Sequence, residues 1–465
     1  MADGRPELAG RTVLVCGARF AGQAAARALL ARGARVVLAD RDRPAGTDDL
    51  VAAGARFAGA LATLPPDTEL VVTSPGFAPS HPLFTDAAAR GVEVIGELEF
   101  AWRLRGMDAA GAADAAGAAP WLVVTGTNGK TTTVRMLEAM LRAAGLRALA
   151  VGNVGVSIID AVTEPRPYDV LAVEASSYQL HWSSTIRPAA GALLNLAPDH
   201  LDWHGSMAAY ENAKAAVWNG AVAIGNADDP RVAALLPAGA IGFTLGVPAD
   251  GQLGVVDGRL VSRAFGDHGL RLVGADEVRP PGPHNAANAL AAAALARAYG
   301  VAAAPIAEGL RSFVPDPHRN QTVLARHGVT WVDDSKATNP HAARASLSTY
   351  ARVVWVAGGQ LKGVDVSDLV AEIAPRLAGA VLLGEDRALV AAALARHAPE
   401  IPVITVDSTD DGAMTEVVHA AAGLARPGDT VLLAPAAASY DMFTSYAARG
   451  DAFAAAARGL QGLQG

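Results

Sequence analysis

Apolar positions in this chain fall into short runs that end on glycine, aspartate or proline, with stretches of helical spacing between them. TVLVCG (12–17), ARVVLAD (34–40), LVVTSPG (70–76) and VEVIGE (92–97) are such runs. Runs this short, rich in Val, Leu and Ile, predict strands buried on both faces of a parallel sheet. GQAAARALLARG (22–33) between the first two predicts a helix, so the chain opens as a βαβ unit. MDAAGAADAAGAA (107–119) has no apolar period and little to bury, which predicts a linker over 108–119. A second alternation begins at Pro120 with WLVVT and continues through LAVEAS, GALLNLA and VAIGNAD to an Ala-rich helix over His284–Tyr299. Past FVPDPHR (313–319), the runs VTWVDD, RVVWVAGG, GAVLLGE and DTVLLAP predict a third parallel unit. The expected fold is α/β in three domains: 1–107, 120–315 and 316–465.

Composition narrows the class. At 465 residues the chain is too long for one core. With 51% hydrophobic and 18% charged residues it is globular, and a net charge of −8 argues against a general nucleic-acid binder. One cysteine, Cys16, excludes an internal disulfide or a cysteine-built zinc site. The N-terminus lacks a signal peptide's apolar run. The Ala/Leu stretch 286–296 is broken by Asn288 and stopped by Arg297, so a buried helix is expected and no membrane insertion. Of 38 basic residues only Lys130, Lys214, Lys336 and Lys362 are lysines. Where a chain uses Arg almost everywhere, each remaining Lys is a candidate for chemistry that needs a compact cation or a reactive amine.

TGTNGKTTT (125–133) follows an apolar strand and opens a helix, the setting of a phosphate loop. Gly126 and Gly129 let backbone N–H groups turn inward, Lys130 can reach terminal phosphates, and the Thr131 hydroxyl can hold Mg²⁺. Val124 stands where a full Walker A loop has its first glycine. In the first domain, GARFAG (17–22) puts Arg19 where a dinucleotide fingerprint has its second glycine, which disfavours a nicotinamide cofactor although Asp40 would suit a ribose.

GTNGKTT resembles the ATP loop of the Mur ligases and of the related folylpolyglutamate synthases. The remaining motifs follow in that family's order: GNVG (152–155), VEASSYQL (173–180), NLAPDHLDWHGS (195–206), YENAK (210–214), HNAAN (284–288), PHR (317–319), DDSKATNP (333–340), GGQLKG (358–363) and APAAASYDMF (434–443). DSKATN and SSYQL resemble the member that adds D-glutamate. Gln321 departs from the pattern, since the family carries an acidic residue there.

The resemblance implies a Rossmann-like UDP-binding domain, a central P-loop-type ATPase domain and a Rossmann-like C-terminal domain. It implies ATP, UDP-N-acetylmuramoyl-L-alanine and D-glutamate as substrates, two Mg²⁺ ions, and a cytoplasmic monomer. Lys130, Glu174, His200 and Lys214 become catalytic candidates, with Thr131, Glu174, His200 and a carbamylated Lys214 as metal ligands. ATP would meet Gly126, Thr127, Asn128, Gly129, Lys130, Thr131, Thr132, Asn285, Asn288, Arg319 and Asp334. Arg19, Asp40, Arg41, Ser74 and Gly76 would hold the UDP end of the precursor, and Asn153, Ser176, Gln179 and His181 its sugar-peptide end. Lys336, Thr338, Lys362, Ser439 and Tyr446 would take D-glutamate. The competing expectations are a ligase for another amino acid, a nicotinamide-dependent oxidoreductase, and a nucleotide-binding regulator without catalysis.

Overall fold

The computed structural model describes residues 8–107, 118–409 and 412–460. Apart from residues 118 and 119, the expected linker lies outside them. The described residues form three sheets, and the chain divides into two compact units.

The first unit comprises residues up to Glu277 together with Ala287–Phe313 and holds two sheets. One has the spatial order Arg56–Phe57, Arg35–Ala39, Thr12–Cys16, Leu70–Thr73, Glu93–Gly96, all parallel. The other runs Leu270–Gly274, Arg259–Ser262, Gln252–Val256, Ile241–Phe243, Val222–Asn226, Ala190–Leu193, Trp121–Thr125, Val170–Glu174, Ala148–Gly152. It is parallel except for its first two pairings. Its central strands are buried throughout, as continuous apolar runs require. The antiparallel extension at 252–274 was not expected. Its signal was present in the turn Asp257-Gly258, where both residues take positive φ (48° and 70°), the requirement of a tight hairpin.

The Ala-rich helix is observed at Pro283–Ala298, and every residue from Ala289 to Ala296 is fully buried. Small apolar side chains all round suit a helix enclosed on every side. Among the described residues no helix is long and apolar enough to cross a membrane.

The second unit, Val278–Ala286 and Val314–Gly465, carries one sheet in the order Gln321–Arg326, Val329–Asp333, Thr430–Leu433, Val353–Gly358, Leu377–Leu383, Val403–Thr405. It is parallel apart from the first pair. Val354, Val356, Val431 and Leu433 face one core while Val353, Trp355 and Leu432 face another, so strand alternation divides the apolar residues between the two sides.

Candidate functional site

The phosphate loop joins Trp121–Thr125 to the helix Lys130–Ala143, so it lies at the carboxyl edge of the central sheet, where open α/β sheets bind ligands. Gly126 and Gly129 take φ of 156° and 84°. A Cβ on Gly129 would also collide with Asn288 Oδ1, which places that candidate against the loop. Lys130 Nζ donates to the carbonyls of Gly126 (3.0 Å) and Thr127 (2.9 Å), folding the ammonium over the loop. Thr131 and Thr132 occupy the first helical turn, half-buried and buried.

The loop is braced by residues the motif reading did not nominate. Asn195 accepts from Asn128 N through Oδ1 (2.8 Å) and donates to Asn128 O through Nδ2 (3.1 Å). Thr127 Oγ1 pairs with Tyr210 OH (2.9 Å) and accepts from Ala197 N (3.0 Å). Asn195 and Tyr210 both stand inside quoted motifs; what the sequence withholds is that these positions converge on one loop.

Beneath the loop lies Lys214, 2% exposed, whose Nζ donates to Gly126 O (2.8 Å). Burial, reinforced by the positive charge of Lys130, lowers its amine well below the ordinary lysine range. Glu174, also 2% exposed, accepts from Asn153 Nδ2 through Oε1 (2.9 Å), while its buried Oε2 meets no hydrogen-bond donor. A buried carboxylate oxygen left in that state is costly unless a cation meets it. His200 follows the next strand with left-handed φ (54°), 4.8 Å from the Tyr178 ring. Desolvation lowers its imidazole, Lys130 and Lys214 act in the same direction, and Asp199 at 3.4 Å opposes them. An imidazole and an amine whose basicity burial lowers are therefore gathered with a half-used carboxylate under the phosphate loop. Among the described residues no group of three or more His, Cys, Asp and Glu could hold a metal ion.

The precursor candidates fall into two clusters of the first unit. Arg19, Asp40, Arg41, Ser74 and Gly76 follow the carboxyl ends of three adjacent strands. Asp40 Oδ2 accepts from Ala18 N (2.8 Å), and a Cβ on Gly17 would collide with Ser74 Oγ. The aspartate is bonded to the turn, and Arg19 projects from it exposed, where a dinucleotide fingerprint has its second glycine. Asn153 follows the edge strand Ala148–Gly152 and Ser176, Gln179 and His181 follow its neighbour Val170–Glu174, and Ser176 and Gln179 form a capping box on Ser177–His181. Aromatic contacts connect the clusters: Phe84 meets Trp182 at 5.1 Å, His181 meets Trp182 at 4.8 Å and Trp203 at 5.0 Å, and His204 meets Tyr210 at 5.3 Å.

All five amino-acid candidates lie in the second unit. DSKATN follows strand Val329–Asp333, and Lys336 Nζ sits 3.8 Å over the Tyr446 ring. Thr338 is half-buried, Ser439 is 2% exposed, and Lys362 is exposed with left-handed φ (54°). Arg449, 1% exposed, was not nominated; it donates to Ser335 Oγ (3.0 Å), Ser335 O (3.0 Å) and Ala437 O (3.2 and 3.1 Å), so it ties DSKATN to the loop carrying Ser439. His318 pairs with buried Asp333 (2.7 Å), and Gln321 Oε1 accepts from His318 N (3.2 Å), a task an acidic side chain would also perform. Asp334 accepts from Asn320 N (3.1 Å), with half-exposed Arg319 close enough to act on its charge. Asn285, 3% exposed, lies one turn before Asn288 on the Ala-rich helix.

Three sequence profiles match in series: the MurD-like N-terminal domain of Mur ligases over residues 11–96, the Mur ligase middle domain over 124–296, and the glutamate ligase domain over 318–437. The chain is 53% identical to the UDP-N-acetylmuramoylalanine–D-glutamate ligase of Streptomyces coelicolor, over 98% of this chain and 99% of that one. It is 54% identical to the ligase of the same name from Thermobifida fusca, over 98% and 100%. For the Mycobacterium avium ligase the figures are 50% identity over 98% and 99%. The solved structure of the UDP-N-acetylmuramate-alanine ligase of Thermotoga maritima aligns over 98% of this chain and 100% of its own, with a TM-score of 0.58 and 17% identity, a likeness of fold. With full-length identity at this level and all three domains in order, the chain belongs to the Mur ligase family, on its MurD-like branch.

Proposed function

We propose that the protein joins D-glutamate to UDP-N-acetylmuramoyl-L-alanine at the expense of ATP, a step of peptidoglycan precursor synthesis, and acts as a cytoplasmic monomer. The observation that carries this reading is the cluster under the phosphate loop, where Lys130, buried Lys214 and the half-paired Glu174 converge. Relatives named for this reaction, about half identical along their whole length, supply the substrates.

In this reading the loop N–H groups and Lys130 hold the ATP phosphates, with Asn288 against the loop and Asn285, Arg319 and Asp334 as further nucleotide contacts. Arg19, Asp40, Arg41, Ser74 and Gly76 hold the UDP end; Asn153, Ser176, Gln179 and His181 hold the sugar-peptide end. The terminal L-alanine carboxylate attacks the γ-phosphorus, ADP leaves, and an acyl phosphate forms. Lys130 stabilises charge that grows on the transferring oxygens. The D-glutamate amine, aligned through its carboxylates by Lys336, Thr338, Lys362, Ser439 and Tyr446, attacks the activated carbonyl. Phosphate departs and the amine loses a proton as the amide closes.

The donor set fits two Mg²⁺ ions. Thr131 and the unpaired Oε2 of Glu174 are hard oxygens, and burial lowers the basicity of the His200 imidazole. Lys214 would complete the set by adding CO₂ to its unprotonated amine, releasing a proton and leaving a carbamate; burial, which lowers this amine well below the ordinary lysine range, favours the reacting form. Bound there, magnesium would neutralise phosphate charge and bring the carboxylate within reach of it.

The deciding experiment supplies purified protein with ATP, Mg²⁺ and the UDP precursor, and compares D- with L-glutamate by phosphate release and product mass. D-glutamate-dependent release with a new amide is expected. Equal release with either enantiomer, or with none, overturns the proposal.

A further inference from the structure

Two glutamates at the start of the helix Glu97–Met107 point back into the central sheet's domain, and they differ in how they are held. Glu99 is fully buried and saturated: it accepts from Ser184 N (2.9 Å), Thr185 N (3.0 Å), Thr185 Oγ1 (2.5 Å) and Arg103 Nε (2.9 Å). That carboxylate fastens the helix. Glu97, 6% exposed, instead meets two neutral side chains, Ser157 Oγ at 2.9 Å and Gln179 Nε2 at 3.4 Å. Ser157 Oγ already accepts from Ile159 N, so its hydrogen is free for Glu97. Gln179 Oε1 already accepts from Ser176 N (3.0 Å), so its amide must present the nitrogen to Glu97.

We propose that Glu97 is a positioning residue for the precursor: by accepting from Gln179 Nε2 it anchors the nitrogen end of an amide whose oxygen the cap already holds, and with it the Ser176–Gln179 pair. A turned amide would set Nε2 against Ser176 N–H, donor against donor, so the cap already chooses the facing; what it leaves free is where the side chain's nitrogen end rests. A buried acceptor reaching it from outside the central domain removes that freedom. Because a buried carboxylate with two neutral donors is costly to retain, and Glu99 already secures the helix, the arrangement is intelligible as one that shapes a binding surface. The inference rests on the reading of Ser176 and Gln179 as contacts to the sugar-peptide part of the precursor.

The test is a polarity swap. Glu97→Leu removes the acceptor. Gln179→Glu sets two carboxylates face to face while keeping the capping bond from Ser176 N. Adding Glu97→Gln to Gln179→Glu restores one donor and one acceptor, now reversed, and leaves an acceptor for Ser157. KM for the UDP precursor, KM for ATP and Tm are measured for each variant in the full chain. Glu97→Leu is expected to raise precursor KM about tenfold with ATP KM within about twofold of the parent, and the swap to recover about tenfold of what Gln179→Glu loses, in Tm as well as in KM. If the swap rescues Tm but Gln179→Glu leaves precursor KM unchanged, the precursor reading of Gln179 fails and the proposal with it. If Gln179→Glu raises precursor KM but the second change rescues nothing, that reading stands and the role of Glu97 is overturned. A Glu97→Leu variant that raises both KM values equally is merely loosened, and this too overturns it.

Discussion

The phosphate-loop end of the first unit and the DSKATN end of the second both bury charge, but they use it in opposite ways. Under the phosphate loop charge is left unspent: Glu174 Oε2 has no donor, and Lys214 meets one carbonyl and one distant hydroxyl. Around DSKATN charge is consumed by the fold: Asp333 is held by His318 and Ser335 N, and Arg449 spends its donors on Ser335 and Ala437. A carboxylate or amine kept unpaired in a dry interior costs stability and is worth keeping only where a ligand or ion completes it. A guanidinium that bridges two loops stabilises them and sets their spacing. Mutation should therefore separate activity from stability in the first region and lower both together in the second.

The largest effect belongs to Lys130→Ala. Its ammonium is the cation seated on the loop, and removing it should lower D-glutamate-dependent phosphate release by about 10³-fold while Tm stays near the parent value. A variant that retained a tenth of the activity would remove the loop from the chemistry. Next is Lys214→Met, which keeps the volume and removes the buried amine. Activity should fall about 100-fold, yet in bicarbonate-free buffer Tm should rise by about 2–4 °C, because replacing a buried ionisable group with a packed apolar one is often stabilising. Loss of both activity and Tm would erase the contrast between the regions. Chelation of divalent cations should abolish parent turnover without lowering Tm by more than a few degrees, and readdition of Mg²⁺ should restore it.

The same contrast explains what could be read in advance. Strands such as TVLVC, WLVVT and VVWVAG are continuous apolar runs, and the glycines and lysine of the phosphate loop carry their chemistry in a few consecutive positions, so both were legible. The extension at 252–274 mixes short apolar stretches with charged turns, and only its Asp-Gly corner announced it. Asn195 and Tyr210 were hidden because their roles depend on distance across the fold: Asn195 grips a turn 67 positions away, and Tyr210 reaches Thr127. Arg449 was hidden for another reason. A chain that places arginine almost everywhere gives no compositional sign that this one is buried.

Arg449→Lys is the corresponding test in the second unit. Lysine keeps the charge but cannot span Ser335 and Ala437 with a planar fork, so the two loops should drift apart. KM for D-glutamate should rise about tenfold with ATP KM little changed, and melting of this unit should fall by several degrees, at about 2–4 °C per kcal/mol lost. Unchanged stability with raised KM would make Arg449 resemble the first region's residues and blur the distinction.

The smallest expected effect is a slope. Burial pushes the Asp334 carboxyl from 3.8 up to about 6, against the opposing bond from Asn320 N, so it is a group of the second unit held off balance in the manner of the first. The folded unit therefore holds this proton more tightly than the unfolded chain does. By linkage the contribution is fully present below about pH 4, is lost as pH rises toward 6, and is flat beyond that. Asp334→Asn, neutral at every pH, should lose this part of the acid-side gain in stability. Amide exchange in the strand Val329–Asp333, followed between pH 4 and 7 and corrected for intrinsic rates, should show a shallower pH dependence of protection in the variant than in the parent. Parallel slopes would mean that Asp334 is as fully compensated as Asp333 beside it, and that the second region holds no unspent charge at all.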